Sequence, residues 1–211
     1  MSEAVAEALV ARRDEILERL LALLRLPSVS TDPAYAAGMK ATREFLMARL
    51  TEGGLEDVRL LDGGGQPAVT GAWNGAPGKP TLIIYGHYDV QPPDPLNLWK
   101  TPPFEPTIRD GRIYARGASD VKGSTLIAVE TVIEFIKAGG CPVNIRFFLE
   151  GEEEIGSPSL RNIIDRHPDA LVGDAMISAD GGRASTTLPT VSVGSRGLTK
   201  LQFTLRTASK D

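Results

Sequence analysis

The stretch Leu82-Ile-Ile-Tyr-Gly-His-Tyr-Asp-Val90 decides how the rest of the 211-residue chain is read. Leu82, Ile83, Ile84 and Tyr85 make an apolar, partly β-branched run of the kind buried on both faces of a parallel sheet, and Gly86 ends it. His87 and Asp89 then fall at the strand's carboxyl end, the edge where open α/β sheets hold ligands. His-x-Asp also suits a metal, because one imidazole nitrogen binds the ion while a nearby carboxylate fixes the ring's tautomer. Alone, the motif reads more simply as a loop histidine with a hydrogen-bond partner.

Composition narrows the classes. With 42% hydrophobic and 24% charged residues the chain is ordinary for a globular protein and can bury a core. A net charge of -4 and the absence of Lys/Arg runs give no support for nucleic-acid or membrane-surface partners, so small-molecule partners are expected. No apolar stretch approaches the roughly 20 residues of a membrane span, and the N-terminus lacks the layout of a signal peptide. The single Cys141 excludes an internal disulfide and fits a reducing compartment, so cytoplasmic residence is expected. Cys141 itself reads as a small residue leading into a strand, not as a nucleophile.

Outward from the central strand, apolar residues at helical spacing predict one helix over about Glu3 to Arg25, stopped by Pro27. A loop through Ser28, Ser30 and Pro33 leads to a second helix, about Ala36 to Leu50, closed by Gly53-Gly54. Val58–Leu61 and Ala68–Trp73 read as a hairpin about Asp62-Gly-Gly-Gly65, which lacks the Lys-Ser/Thr of a phosphate loop. After the central strand, Gln91–Pro106 carries six prolines with Trp99 and Phe104, a loop long enough to wall a cleft. Ile108–Ala115 is strand-like about Asp110-Gly111, and Arg116–Gly123 (RGASDVKG) opens a helix to about Lys137. Val143–Leu149 is a second buried strand leading into Glu150–Ser157 (EGEEEIGS), Ser157 or Ser159 caps a short helix to about Arg166, and Ala175–Ser178 is a third buried strand ending at Asp180. Alternating strands and helices predict an α/β fold, a mostly parallel twisted sheet with helices on both faces. From Thr190 the texture changes: Thr190–Val193 and Leu198–Leu205 alternate about Gly194–Gly197, an antiparallel pattern. A boundary at Leu188-Pro189 divides residues 1–188 from 189–211.

Three strand ends and one helix-opening loop thus offer His87, Asp89, the Glu150–Glu154 run, Asp180 and Asp120. Singly these read as a solvated acidic turn or a helix cap, and His167 as a surface residue. Jointly, five carboxylates around one histidine repel unless cations neutralise them. One His with several Asp/Glu suits zinc, manganese or cobalt better than calcium, and a bridging carboxylate would hold two ions roughly 3.5 Å apart.

GHYDVQP, RGASDVKG and LEGEEEIGS, in this order with a later Asp, resemble the di-zinc metallopeptidase family of carnosinase, cytosolic non-specific dipeptidase, carboxypeptidase G, aminoacylase and succinyl-diaminopimelate desuccinylase. DVQPPD…W…PF followed by DGRIYARGASDVKG is most similar to the dipeptidase/carnosinase branch. The resemblance implies a zinc aminopeptidase-like catalytic domain followed by the start of an antiparallel α+β lid/dimerisation domain. It implies two Zn2+ (or Mn2+ or Co2+): His87 and Asp180 on one ion, Glu154 on the other, Asp120 bridging, and Asp89 orienting His87. Glu153 would be the general base that takes a proton from the bridging water and returns it to the leaving amine, leaving Glu152 spare. It also implies a cis peptide at Asp120-Val121. The expected reaction is hydrolysis of a dipeptide or, alternatively, an N-acyl amino acid, by a homodimer. The family's last histidine ligand and its lid histidine would lie beyond Asp211, so the chain is expected to be an N-terminal part, inactive and aggregation-prone by itself. An alternative reading is an inactive metal-binding or regulatory homologue. Serine hydrolysis at Ser195 lacks the nucleophile-elbow spacing.

Overall fold

The computed structural model describes residues 1–185, 187–188, 190–194, 197, 199 and 201–207. The helices are α1 (Ser2–Ala11), α2 (Arg13–Leu24), α3 (Ala36–Glu52), α4 (Lys122–Lys137) and α5 (Leu160–Arg166). The strands are β1 (Glu56–Leu61), β2 (Ala68–Trp73), β3 (Thr81–His87), β4 (Thr107–Arg109), β5 (Arg112–Tyr114), β6 (Asn144–Glu150) and β7 (Ala175–Ser178). Five of the strands form a mixed sheet in the order β1-β2-β6-β3-β7, in which β6, β3 and β7 run parallel and β2 is antiparallel to both β1 and β6. The carboxyl ends of β3, β6 and β7 therefore share one edge.

The continuous apolar runs of β3 and β6 are explained by burial on both faces. Ile84 with Ile145, Phe147 and Leu149 packs against Leu23 of α2, Met39, Leu46 and Leu50 of α3, and Leu126, Val129 and Ile133 of α4. Ile83 and Phe148 point the other way, into Ile163 of α5 and Ala170. Gly86 lets α4 approach β3 closely, since a Cβ there would stand 2.7 Å from the Thr125 hydroxyl. The Gly63–Gly65 segment is the connection of the β1–β2 hairpin, where Gly64 N–H donates to Asp62 Oδ1 at 2.9 Å. Asp110 and Gly111, at φ 50° and 70°, turn the separate β4–β5 ribbon, the combination of positive φ values that two-residue hairpins favour.

Four expectations are corrected. The N-terminal helix is two, broken at Arg12 (φ -100°, ψ 13°), whose guanidinium pairs with Glu15 and with Glu134 of α4. Ser159 holds the N-cap position of α5, but no side chain caps it; the Ser159 N–H donates to Glu152 Oε2 instead. The strand Ala175–Ser178 is exposed, not buried, with Met176 at 62% and Ile177 at 55%, because neither of its faces is covered; it is an edge strand paired with β3 alone. Compact units are Met1–Asp180 and Gly181–Asp211, and the fourth correction falls in the second of them. In the second, Thr190–Val193 forms no strand; Pro189, Ser195, Leu198 and part of the expected Leu198–Leu205 strand lie outside the described residues. Among the described residues no helix is long and apolar enough to cross a membrane.

One buried ionic cluster escaped the periodicity argument. Glu130 of α4 is fully buried and accepts both Arg49 Nε and Nη2 at 2.6 and 2.7 Å, with Arg19 at 3.0 Å. Removing one partner of a buried pair strands the other charge, so Glu130→Ala is expected to cost about 3–5 kcal/mol. Chemical denaturation at equilibrium checks it; a loss below about 1 kcal/mol, the range of exposed pairs, contradicts it.

Candidate metal centre

The parallel register carries β3 and β6 to the same edge, ending with His87 opposite Glu150. Beyond β7, Ala179 N–H donates to Tyr85 O at 2.7 Å, which extends the pairing to the residue before Asp180. Asp120 arrives from the other side, in the turn before α4. It does not cap that helix, whose N-cap is Val121 and has no side-chain cap, so its carboxylate is left free to face His87. The Asp120-Val121 peptide is cis.

His87 is fully buried. Its Nδ1–H donates to the Asp89 carbonyl at 3.0 Å, with Asp89 Oδ1 at 3.4 Å, which leaves the Nε2 lone pair pointing away from Asp89. Nε2 has no hydrogen-bond partner. It faces Asp120 Oδ1 at 3.3 Å, Glu153 Oε2 at 3.8 Å and Asp180 Oδ2 at 3.8 Å. Ligand atoms of His87, Asp120 and Glu154 all lie within 4.8 Å of one another. A lone pair aimed at carboxylates has no donor to meet, so the arrangement calls for a cation or a proton between them. Ligands about 2.0–2.2 Å from a tetrahedral ion stand about 3.3–3.6 Å apart, which the His87–Asp120 separation meets. The donor set fits a divalent ion.

The electrostatics point the same way. Burial alone would lower the His87 pKa, but the hydrogen bond and charge of Asp89, with Glu153, hold it up at about 9. Burial raises the Glu153 carboxyl above its ordinary value, and the charges of Glu154, Asp180 and Asp89 add to this against the opposing pull of His87. Burial likewise raises Glu154, despite the Gln91 amide that donates to its Oε2 at 2.6 Å. These are groups that crowding pushes towards protonation.

The rest of the acidic run is structural. Glu150 accepts the Tyr85 hydroxyl at 2.5 Å. Glu152 is buried, accepting Gln66 N–H and Ser159 N–H at 2.9 and 3.0 Å, so it ties the hairpin connection to the start of α5. His167 lies against the Asp62 carbonyl, at 3.2 Å, away from this cluster. Cys141 is buried and free, its thiol pushed up to about 11 by burial.

Two contacts had little or no signal in the sequence. Ser30 Oγ donates to Asp89 Oδ2 at 2.7 Å from 59 positions away. Gln91, which steadies Glu154, is visible only as part of GHYDVQP. The proline-rich loop does wall a cleft, of about 810 Å³, formed with β4–β5; Trp99, Arg109 and Tyr114 line it, and its lining ends at Ser119, next to Asp120.

Comparison with known proteins agrees with this geometry. Residues 83–202 match the family described as peptidase family M20/M25/M40. The chain is 30% identical over 200 residues to the cysteinylglycine-S-conjugate dipeptidase of Corynebacterium striatum, covering 94% of this chain and 44% of that protein. It is 32% identical to the Cys-Gly metallodipeptidase of Schizosaccharomyces pombe, covering 97% and 46%. The structure superposes on human carnosine dipeptidase 1 with a TM-score of 0.78 at 30% identity, covering 84% of this chain and 41% of that one. The chain thus spans less than half the length of these relatives. With a match over more than half of its residues and its sheet edge built on that pattern, the chain belongs to peptidase family M20/M25/M40.

Proposed function

We propose that the whole protein is a di-zinc dipeptidase, with cytoplasmic residence and a homodimeric assembly. The observation that carries the reading is the buried, unpartnered His87 Nε2 facing Asp120, Glu153 and Asp180, with Glu154 in the same cluster. The relatives named as dipeptidases support the substrate class. Residues 1–188 are assigned to the catalytic domain and 189–211 to the opening of a lid domain.

In this reading His87 and Asp180 would hold one ion and Glu154 the other, with Asp120 serving both. Bound divalent ions supply Lewis acidity to a carbonyl and acidify water. Glu153 accepts a proton from the attacking water and returns it to the leaving amine, a task suited to a carboxyl raised above its ordinary range. Asp89 keeps the proton on His87 Nδ1, so that Nε2 offers its lone pair.

Two measurements test the reading. Zn2+ titration of the chain by calorimetry is expected to show binding that His87→Ala weakens by at least about 100-fold, beyond the loss seen for outer-shell changes; equal binding by both proteins removes His87 from the site. In the whole protein, Glu153→Ala is expected to lower kcat for Cys-Gly hydrolysis by about 10²–10⁴-fold, the range for loss of a general base. Unchanged turnover overturns the proposed mechanism.

A further inference from the structure

Before the carboxyl edge of β3 reaches the acidic cluster, it is met by a segment that neither the family motifs nor the proposed ligand set includes. Residues 23–30 leave the end of α2 and run beside Tyr88–Val90. Val29 and Val90 form a parallel bridge, Val90 N–H donates to Ser28 O at 2.8 Å, and Ser28 Oγ donates to Tyr88 O at 2.6 Å. The far end is pinned by Lys122, two residues after Asp120. Its buried Nζ donates to Leu26 O at 2.6 Å, just past the end of α2, and to Leu23 O at 3.3 Å, which also accepts the Leu26 N–H. The segment is thus strapped to both arms of the cluster.

The strap delivers one side chain to Asp89. That carboxylate is fully buried, and its donors divide cleanly between its oxygens. Oδ2 accepts Ser30 Oγ at 2.7 Å and Glu154 N–H at 3.1 Å; Oδ1 accepts Glu153 N–H at 3.2 Å and stands 3.4 Å from His87 Nδ1. A hydroxyl donating to a carboxylate is a charge-assisted bond, stronger than a neutral one. The short Ser30 bond saturates Oδ2 and so sets the rotation of the carboxylate, which turns Oδ1 towards His87 and the Glu153 amide.

We infer that Ser30 is a positioning residue of the metal centre: through Asp89 its hydroxyl fixes the imidazole of His87 and the backbone of Glu153 and Glu154 together. The inference rests on the metal reading above. Without the hydroxyl, Oδ2 keeps only the longer Glu154 amide bond, so the carboxylate that the histidine and the two glutamates share loses its shortest anchor. Ser28 is the control, because its hydroxyl makes a buried bond of similar length within the same strap but does not touch Asp89.

The test is Co2+ binding to the 211-residue chain, followed by the visible absorption of the bound ion, with far-UV circular dichroism as the check on folding. Ser30→Ala is expected to bind Co2+ about 10- to 100-fold more weakly, as for loss of other outer-shell partners, with an altered visible spectrum. Ser30→Thr, which keeps a hydroxyl, is expected to restore both. Ser28→Ala is expected to lower thermal stability while leaving affinity and spectrum unchanged. Equal Co2+ binding by Ser30→Ala and the parent chain overturns the inference and leaves the metal reading intact. Equal weakening by Ser28→Ala and Ser30→Ala also overturns it, by showing that only the strap's packing matters. Absence of Co2+ binding by the parent chain overturns the metal reading and this inference with it.

Discussion

The parallel ladder between β3 and β6 is the constraint on which the site depends. Its register pairs Thr81 with Asn144 and continues unbroken to His87 with Glu150. A one-residue slip would exchange the two faces of either strand, sending Phe148 into the helix-packed side and Phe147 out of it. The cores on both faces therefore fix the register, and the register fixes which residues emerge at the carboxyl edge. Because β7 joins β3 in the same direction, Asp180 is delivered to that edge as well.

What gathers there is charge of one sign. Asp89 is fully buried and supplied with donors: a hydroxyl, two amides and an imidazole nearby. Burying a charge is tolerable when it is paired and hydrogen-bonded. Asp120, Glu153 and Asp180, by contrast, are partly exposed and turned towards His87 Nε2, which has no hydrogen-bond partner. The carboxylates divide into those that the protein supplies with donors, Asp89, Glu150 and Glu152, and those that face His87 Nε2 without one.

Much of this was legible from local chemistry. Glycine and proline punctuation places the ends of α3 and α4 within a residue or two, and Ala68–Trp73 and Ala175–Ser178 are strands over the stretches read from their apolar runs. The residues expected at the site arrive at one edge because each follows a strand end or opens a helix, which sequence periodicity marks. What was not legible depends on partners distant in the chain. The break at Arg12 follows from its pairing with Glu134, and the burial of Glu130 from Arg49, 81 positions away; on a helix, acids and bases look like a solvated face. The exposure of β7 reflects two uncovered faces, which its apolar composition does not encode. Glu152 reads as a spare member of an acidic run, yet it holds two backbone amides.

The same division explains why the centre and the fold are hard to separate. The Asp89 side chain accepts from a strap that leaves the end of α2 and from the turn after β6, and its backbone carbonyl accepts from the histidine of its own strand, so one residue joins three segments. Lys122 closes the loop by tying that strap to the helix that follows Asp120. An ion drawn between His87 and the surrounding carboxylates would pull on the same four segments from the other side. Metal affinity is then a property of how firmly these segments are already held, since a site ordered in advance does not draw on binding energy to order itself. The hydrogen-bond set of a single buried aspartate is the point at which that ordering is decided.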